Sequence, residues 1–350
     1  MLKPTSLAAL LLLLPGTFSP ALAQQTEEAE PQSSAPVIAK AAGEPTGTLL
    51  APVVVSGKVS GPGLWRADRN GQTLWILGSL TPLPRHMEWE AEDVSAVLDE
   101  AGALIGVPYI SVKANVGFWG GLALAPKALG ARKDPEGRTL EQQLPADVYA
   151  RWSALRERYL GSSRKTERWR PLFAADYLVK AALRKSRLSS DDQVEVQLRK
   201  LAKKRKVSWV NAGTTFSIDD PKAMLSEFRS SQIDDQACFE QTLEWLERDL
   251  DLMRARANAW AEGDIGGLHE LATKRSRSAC IHSLLQNDLF RSRGIDELPK
   301  RQRENWLSVV EETLAKHGSA LSILTMEELL GDDSYLADLQ SAGFVISSPE

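Results

Sequence analysis

Hydrolysis at a protein-bound cation needs about three imidazole or carboxylate ligands and one open coordination position. The chain has four histidines, His86, His269, His282 and His317. No two of them stand one helical turn apart. His269-Glu270 begins like His-Glu-x-x-His, but Thr273 occupies the place of the second imidazole. A Gly-x-Ser-x-Gly elbow, a Walker loop and a Gly-x-Gly-x-x-Gly turn are all missing from the sequence. The other groups with chemical potential are scattered. Ser79 and Thr81 follow a glycine at a strand end, Arg303 and Asn305 lie on a helix, and Glu328 follows a late strand. Arg303 could hold a carboxylate or phosphate bidentately or make a helix-surface salt bridge, and a pair with Glu328 is one such structural arrangement.

The elements that must position these residues can be read from periodicity and turn signals. Leu64–Ala67, an Asp-Arg-Asn-Gly turn and Thr73–Leu77 form a β-hairpin whose second strand, Leu74-Trp75-Ile76-Leu77, is apolar enough to be buried on both faces. Short apolar runs at 103–107, 207–210, 321–324 and 344–347 supply four more strands. Helices are expected over Glu88–Ala101, from Thr139 to Leu160, from Arg170 to Leu183, over Asp191–Lys206, Asp234–Glu262, Pro299–His317 and Ser334–Ser341, with a short one after Asp219-Asp220-Pro221. The fold class is therefore α/β (α+β), a central mixed sheet with a large helical portion. Tyr109–Gly130 is apolar and glycine-bearing. It reads as a hairpin or helical flap packed on the domain, with a membrane-interacting loop as the alternative. The run Lys203-Lys204-Arg205-Lys206 reads as a solvated helix end whose charges complement the helix dipole.

Residues 1–23 have the pattern of a signal peptide: Lys3, an apolar core over Leu7–Leu14, and Ala21-Leu22-Ala23 before Gln24. Residues 24–60, rich in Ala, Pro, Glu, Ser and Thr, read as a flexible linker, with Ala51–Val55 as a possible edge strand. The folded domain is expected over 61–347. Export predicts a periplasmic or secreted protein with no transmembrane segment in the mature chain. In an oxidising compartment Cys238 and Cys280 are expected to pair, the alternative being two separate buried thiols. A bond between them would close a loop of about 40 residues, worth roughly 3–4 kcal/mol in the chain-entropy model. With 42 basic and 46 acidic residues the net charge is −4, which argues against nucleic acid as a partner.

Leu64-Trp65-Arg66, the Asn-Gly turn and Leu74-Trp75-Ile76-Leu77-Gly78-Ser79-Leu80-Thr81-Pro82-Leu83-Pro84 resemble the opening of the TraB/GumN (Tiki-like) family. So do Trp260-Ala-Glu-Gly263-Asp264, Arg303-Glu-Asn305-Trp306 and the closing Gly343-Phe344-Val345-Ile346. The order of these motifs over about 61–347 carries the resemblance. It implies an ancestral metal-dependent peptidase whose site used two Gly-x-x-His histidines and a glutamate. Carried over by position, the first motif falls on Gly78 and Thr81, the glutamate on Gly106, and the second histidine on Glu328. Thr81 and Gly106 are not usual ligands, and Glu328 alone holds no cation tightly. The expected reading is an exported protein with a degenerate metal site. It would be a non-catalytic binding or accessory protein of the cell envelope, without a cofactor, whose partner is an unidentified protein, peptide or envelope component. The alternative is a divergent metal-dependent hydrolase with a rebuilt site.

Overall fold

The computed structural model describes residues 63–85, 87, 89, 92–231, 233, 235–271, 287–331 and 334–349. The leader, the linker, the Ala51–Val55 island, His86, His282 and Cys280 fall outside the described residues.

The hairpin forms as its turn chemistry requires. β1 (Leu64–Arg69) and β2 (Gln72–Ser79) are antiparallel, joined through Asn70 and Gly71 at φ 53 and 78. Both central residues have positive φ, as a right-twisted two-residue hairpin demands. After β3 (Leu83–Pro84) come β4 (Ala103–Ile105), β5 (Tyr109–Ala114), β6 (Leu188–Ser189), β7 (Ser208–Val210), β8 (Gly213–Ile218), β9 (Ser319–Thr325) and β10 (Val345–Ser347). Six of these make one mixed sheet in the order β10-β1-β2-β9-β4-β7. β2, β9, β4 and β7 run parallel, and β1 and β10 extend the sheet with antiparallel pairing. These are the six strands expected from the sequence, with ends shifted by at most two residues.

The parallel strands are covered as such strands must be. Leu74, Ile76, Leu104, Ile105, Leu321, Ile323 and Leu324 are fully buried, and the helices Gln193–Arg205 and Leu298–His317 contribute Val194, Leu198, Trp306, Val310 and Leu314 to the same core. A second core is mainly helical, built from Leu140, Trp152, Leu178, Val179, Phe239 and Leu243 among others. The long helix Gln236–Glu262 bridges the two. Its stretch from Phe239 to Met253 places Phe239, Leu243, Leu246 and Met253 in the second core, and its last turns place Ala257, Trp260 and Ala261 against the sheet. Gly263 ends it at φ 74, and the Asp264 carboxylate then accepts the Gly267 N–H at 2.8 Å, starting the next helix.

Two small strand pairs lie outside the main sheet. β5 pairs with β8 in parallel, and β3 pairs with β6. The sequence reading missed both, because each joins segments about 100 residues apart with no local turn to announce them. The Tyr109–Gly130 stretch is thus one strand followed by the helix Phe118–Gly130, which packs through Leu124 and Ala131 on Leu225 and Phe228. No helix among the described residues is long and apolar enough to cross a membrane.

Candidate functional site

In open sheets with parallel strands, sites collect outside the carboxyl ends of the strands. Here that edge carries Ser79 at the end of β2, Thr325 at the end of β9, Gly106 just past β4 and Asn211 just past β7. Because β9 lies between β2 and β4, with Ser79 opposite Thr325 and Ile105 opposite Ser322, the sequence-derived positions Gly78, Gly106 and Glu328 do assemble along one edge.

What they assemble into differs from a cation site. A Cβ on Gly106 would lie 2.4 Å from Trp209 Cζ2 and 2.7 Å from its Cη2. The indole of β7 therefore fills the space where a longer side chain from β4 would emerge. Arg199 stacks on that indole, its guanidinium carbon 4.7 Å from the ring. Thr81 is exposed, two residues beyond the strand, and precedes a cis bond to Pro82. Gly78 is enclosed by Met326, Leu329 and Trp65, and its carbonyl accepts the Trp260 indole N–H at 2.9 Å. The tryptophan of Trp-x-x-Gly-Asp is thus a structural tie to the end of β2.

Glu328 is held by its own helix start. Thr325 caps the helix Met326–Leu330, and the Glu328 carboxylate accepts the Thr325 backbone N–H at 2.7 Å and its hydroxyl at 3.0 Å, a capping box. The residue keeps some solvent contact but sits deep at the sheet edge. Desolvation raises its pKa to about 7, against the lowering effect of the Thr325 hydrogen bonds, and the charges of Glu327 and Asp192 push the same way as burial. Asp192 is the neighbour the sequence reading did not single out. It caps the helix Gln193–Arg205 by accepting the Glu195 N–H at 2.9 Å. Its pKa is also raised, first by desolvation, while the adjacent Ser79 hydroxyl favours the ionised form. Ser79 is 1% exposed, and its buried Oγ makes no hydrogen bond of conventional geometry among the described residues. An Asp-x-x-Glu cap signal at 192–195 was present in the sequence, but nothing there could say that the cap faces Ser79. The β3–β6 pair decides that, by fastening the loop after β2 to the segment before the helix.

Arg303 does not pair with Glu328 as the sequence reading envisaged. Its guanidinium forks onto Asp338 at 2.8 and 2.7 Å, because the helix Tyr335–Ser341 presents that carboxylate across from it. Arg303 and Glu328 instead flank the buried Tyr335. Burial first, then the Glu328 charge, raises the phenol well above its usual range, while Arg303 acts to lower it. Asn305 makes only a long contact to the Ala212 carbonyl at 3.4 Å. Trp306 is the anchor of this motif, its indole donating to the buried Ser322 hydroxyl at 3.2 Å. Trp306 is therefore a structural part of the helix–sheet contact.

His269 lies exposed on a short helix and His317 ends the helix Leu298–His317 beside Gly102. Among the described residues no three His, Cys, Asp or Glu side chains converge in a way that could hold a metal ion. The side chains at the three positions that the resemblance gives as ligands do not fit a cation: one is exposed threonine, one is glycine under an indole, and one is a carboxyl tied to its own helix cap. Cys238 is buried near the start of the long helix, and its expected partner Cys280 lies outside the described residues.

The family model for the TraB/PrgY/gumN family matches residues 63–348. Comparison with curated proteins and with solved structures returned no match.

Proposed function

The chain belongs to the TraB/PrgY/gumN family, and from that membership we propose that it is an exported member that has given up the ancestral metal site and acts as a non-catalytic binding or accessory protein of the cell envelope. The observation that carries the reading is the Trp209 indole, set 2.4 Å from where a Gly106 Cβ would stand. A longer side chain could stand there only if that ring, which also carries a cation–π contact with Arg199, moved aside. Export rests on the leader pattern at 1–23, and with it the Cys238–Cys280 disulfide.

The test is elemental analysis of the purified mature protein after dialysis against trace Mn²⁺, Co²⁺ and Zn²⁺. Metal well under one equivalent, with no metal-stimulated peptide cleavage, is the expected result. Near one equivalent together with such cleavage would overturn it.

The second reading, a divergent hydrolase, draws on one observation. A carboxyl with a pKa of about 7, next to Asp192 and a buried serine hydroxyl, is tuned to the range where acid–base chemistry is effective. Glu328→Gln separates the two readings, since turnover that depends on this carboxyl would vanish in the variant and a binding protein has none to lose.

A further inference from the structure

Outside the sheet edge, a groove of about 640 Å³ lies between the second half of the helix Pro171–Lys185 and the segment that leads into the helix Gln193–Arg205. Its volume is in the range of small-molecule sites. Three cations converge on it: Lys180 and Arg184, one helical turn apart, and Arg85 from the loop after β3. Like charges at that spacing repel, and the repulsion is poorly answered within the protein. Lys180 pairs with Asp176 at 2.7 Å. Arg85 and Arg184 spend only their Nε–H groups, on the carbonyls of Leu188 and Lys180 at 3.3 and 3.2 Å, and neither makes an ion pair among the described residues. The terminal nitrogens of two guanidinium groups are left to face the groove's solvent.

The rest of the lining is not what a bare anion requires. The carboxylate of Asp191 and the hydroxyl of Ser190 are exposed at the wall, and the Tyr177 ring with buried Leu183 and Leu188 supplies an apolar surface. Two forked donors beside a carboxylate acceptor, a hydroxyl and an aromatic face match a ligand that carries an anionic group on a polyhydroxylated ring.

We propose that the groove bounded by Arg85, Lys180 and Arg184 binds an anionic sugar, a sugar acid or sugar phosphate, with the guanidinium groups on its charge and Asp191 accepting from its hydroxyls. The proposal gives the binding reading a ligand and rests on it.

The experiment is calorimetric titration of the full mature chain with four probes: a uronic-acid disaccharide, a hexose phosphate, inorganic phosphate and a neutral disaccharide. The expected result is binding of the uronic-acid disaccharide or the hexose phosphate, whichever carries the preferred anion, with the neutral disaccharide inert. The double variant Arg85→Ala/Arg184→Ala should weaken that binding by at least about tenfold, two bidentate charge-assisted contacts being lost. Its unfolding midpoint, measured alongside, should stay near that of the parent because both side chains are exposed. Asp191→Asn should weaken the sugar ligands and leave inorganic phosphate untouched. Absence of binding by every anionic probe, binding unchanged in the double variant, or inorganic phosphate binding as tightly as the sugar ligands would overturn the proposal. Metal content reads out the other question separately, since the groove contains none of the ancestral ligand positions.

Discussion

Replacing Glu328 by Gln should change how stability depends on pH, in a direction the geometry fixes. The carboxyl has a pKa of about 7 in the folded protein against 4.5 as an isolated group. Between those values the native state keeps a proton that the unfolded chain has released, so stability is greatest at the acid side of the window and declines as pH rises through it. A shift of this size corresponds to at most about 3 kcal/mol at 1.36 kcal/mol per unit. The side chain retains some solvent contact, and relaxation of the site cuts the expected effect to about 1–2 kcal/mol. Gln can still accept the Thr325 N–H in the capping box, so the variant removes the titration without removing the cap. Urea unfolding of both proteins at intervals from pH 5 to 8 should give midpoints that converge at the acid end. They should diverge toward pH 8, with the variant the more stable there. Asp192, also raised, slopes the same way, and salt-bridged carboxylates elsewhere slope oppositely, so the difference between the two proteins is the readout. Parallel profiles across the whole range would refute the account of a desolvated carboxyl at the sheet edge.

Gly106→Ala should destabilise by about 1–3 kcal/mol through overpacking against Trp209. Combined with Trp209→Ala it should cost clearly less than the sum of the two, as a double-mutant cycle on urea midpoints would reveal. Trp260→Phe, which strands the buried Gly78 carbonyl, should cost about 1–3 kcal/mol in the same assay. Arg303→Ala and Asp338→Ala should show a coupling of roughly 0.5–1.5 kcal/mol, and Arg303→Lys should behave more like the alanine variant than like the parent, since one ammonium cannot reproduce the fork.

The six strands of the main sheet, the hairpin turn, the caps at Thr139, Asp220 and Asp264 and the glycine end of the long helix were legible in the sequence. Each depends on residues within a few positions of one another: a positive-φ Asn-Gly, a short apolar run, an acid or hydroxyl three residues before an amide. That Thr81 and Gly106 are residue types unsuited to ligation was legible in the same way. What packs around them was not. Trp209 comes to Gly106 from a strand about 100 residues away, and only the parallel β4–β7 register, Ile105 opposite Val210, brings the indole over the glycine. Asp192 is an ordinary helix cap by its local pattern, and it becomes the neighbour of Ser79 and Glu328 because β3 pairs with β6. Arg303 has acidic residues available on several elements, and the placement of the helix Tyr335–Ser341 selects Asp338. Local chemistry determined the elements and their ends. Which side chains share the sheet edge, and at what protonation, was decided by strand order and burial, because desolvation and long-range contact exist only once the chain has closed on itself.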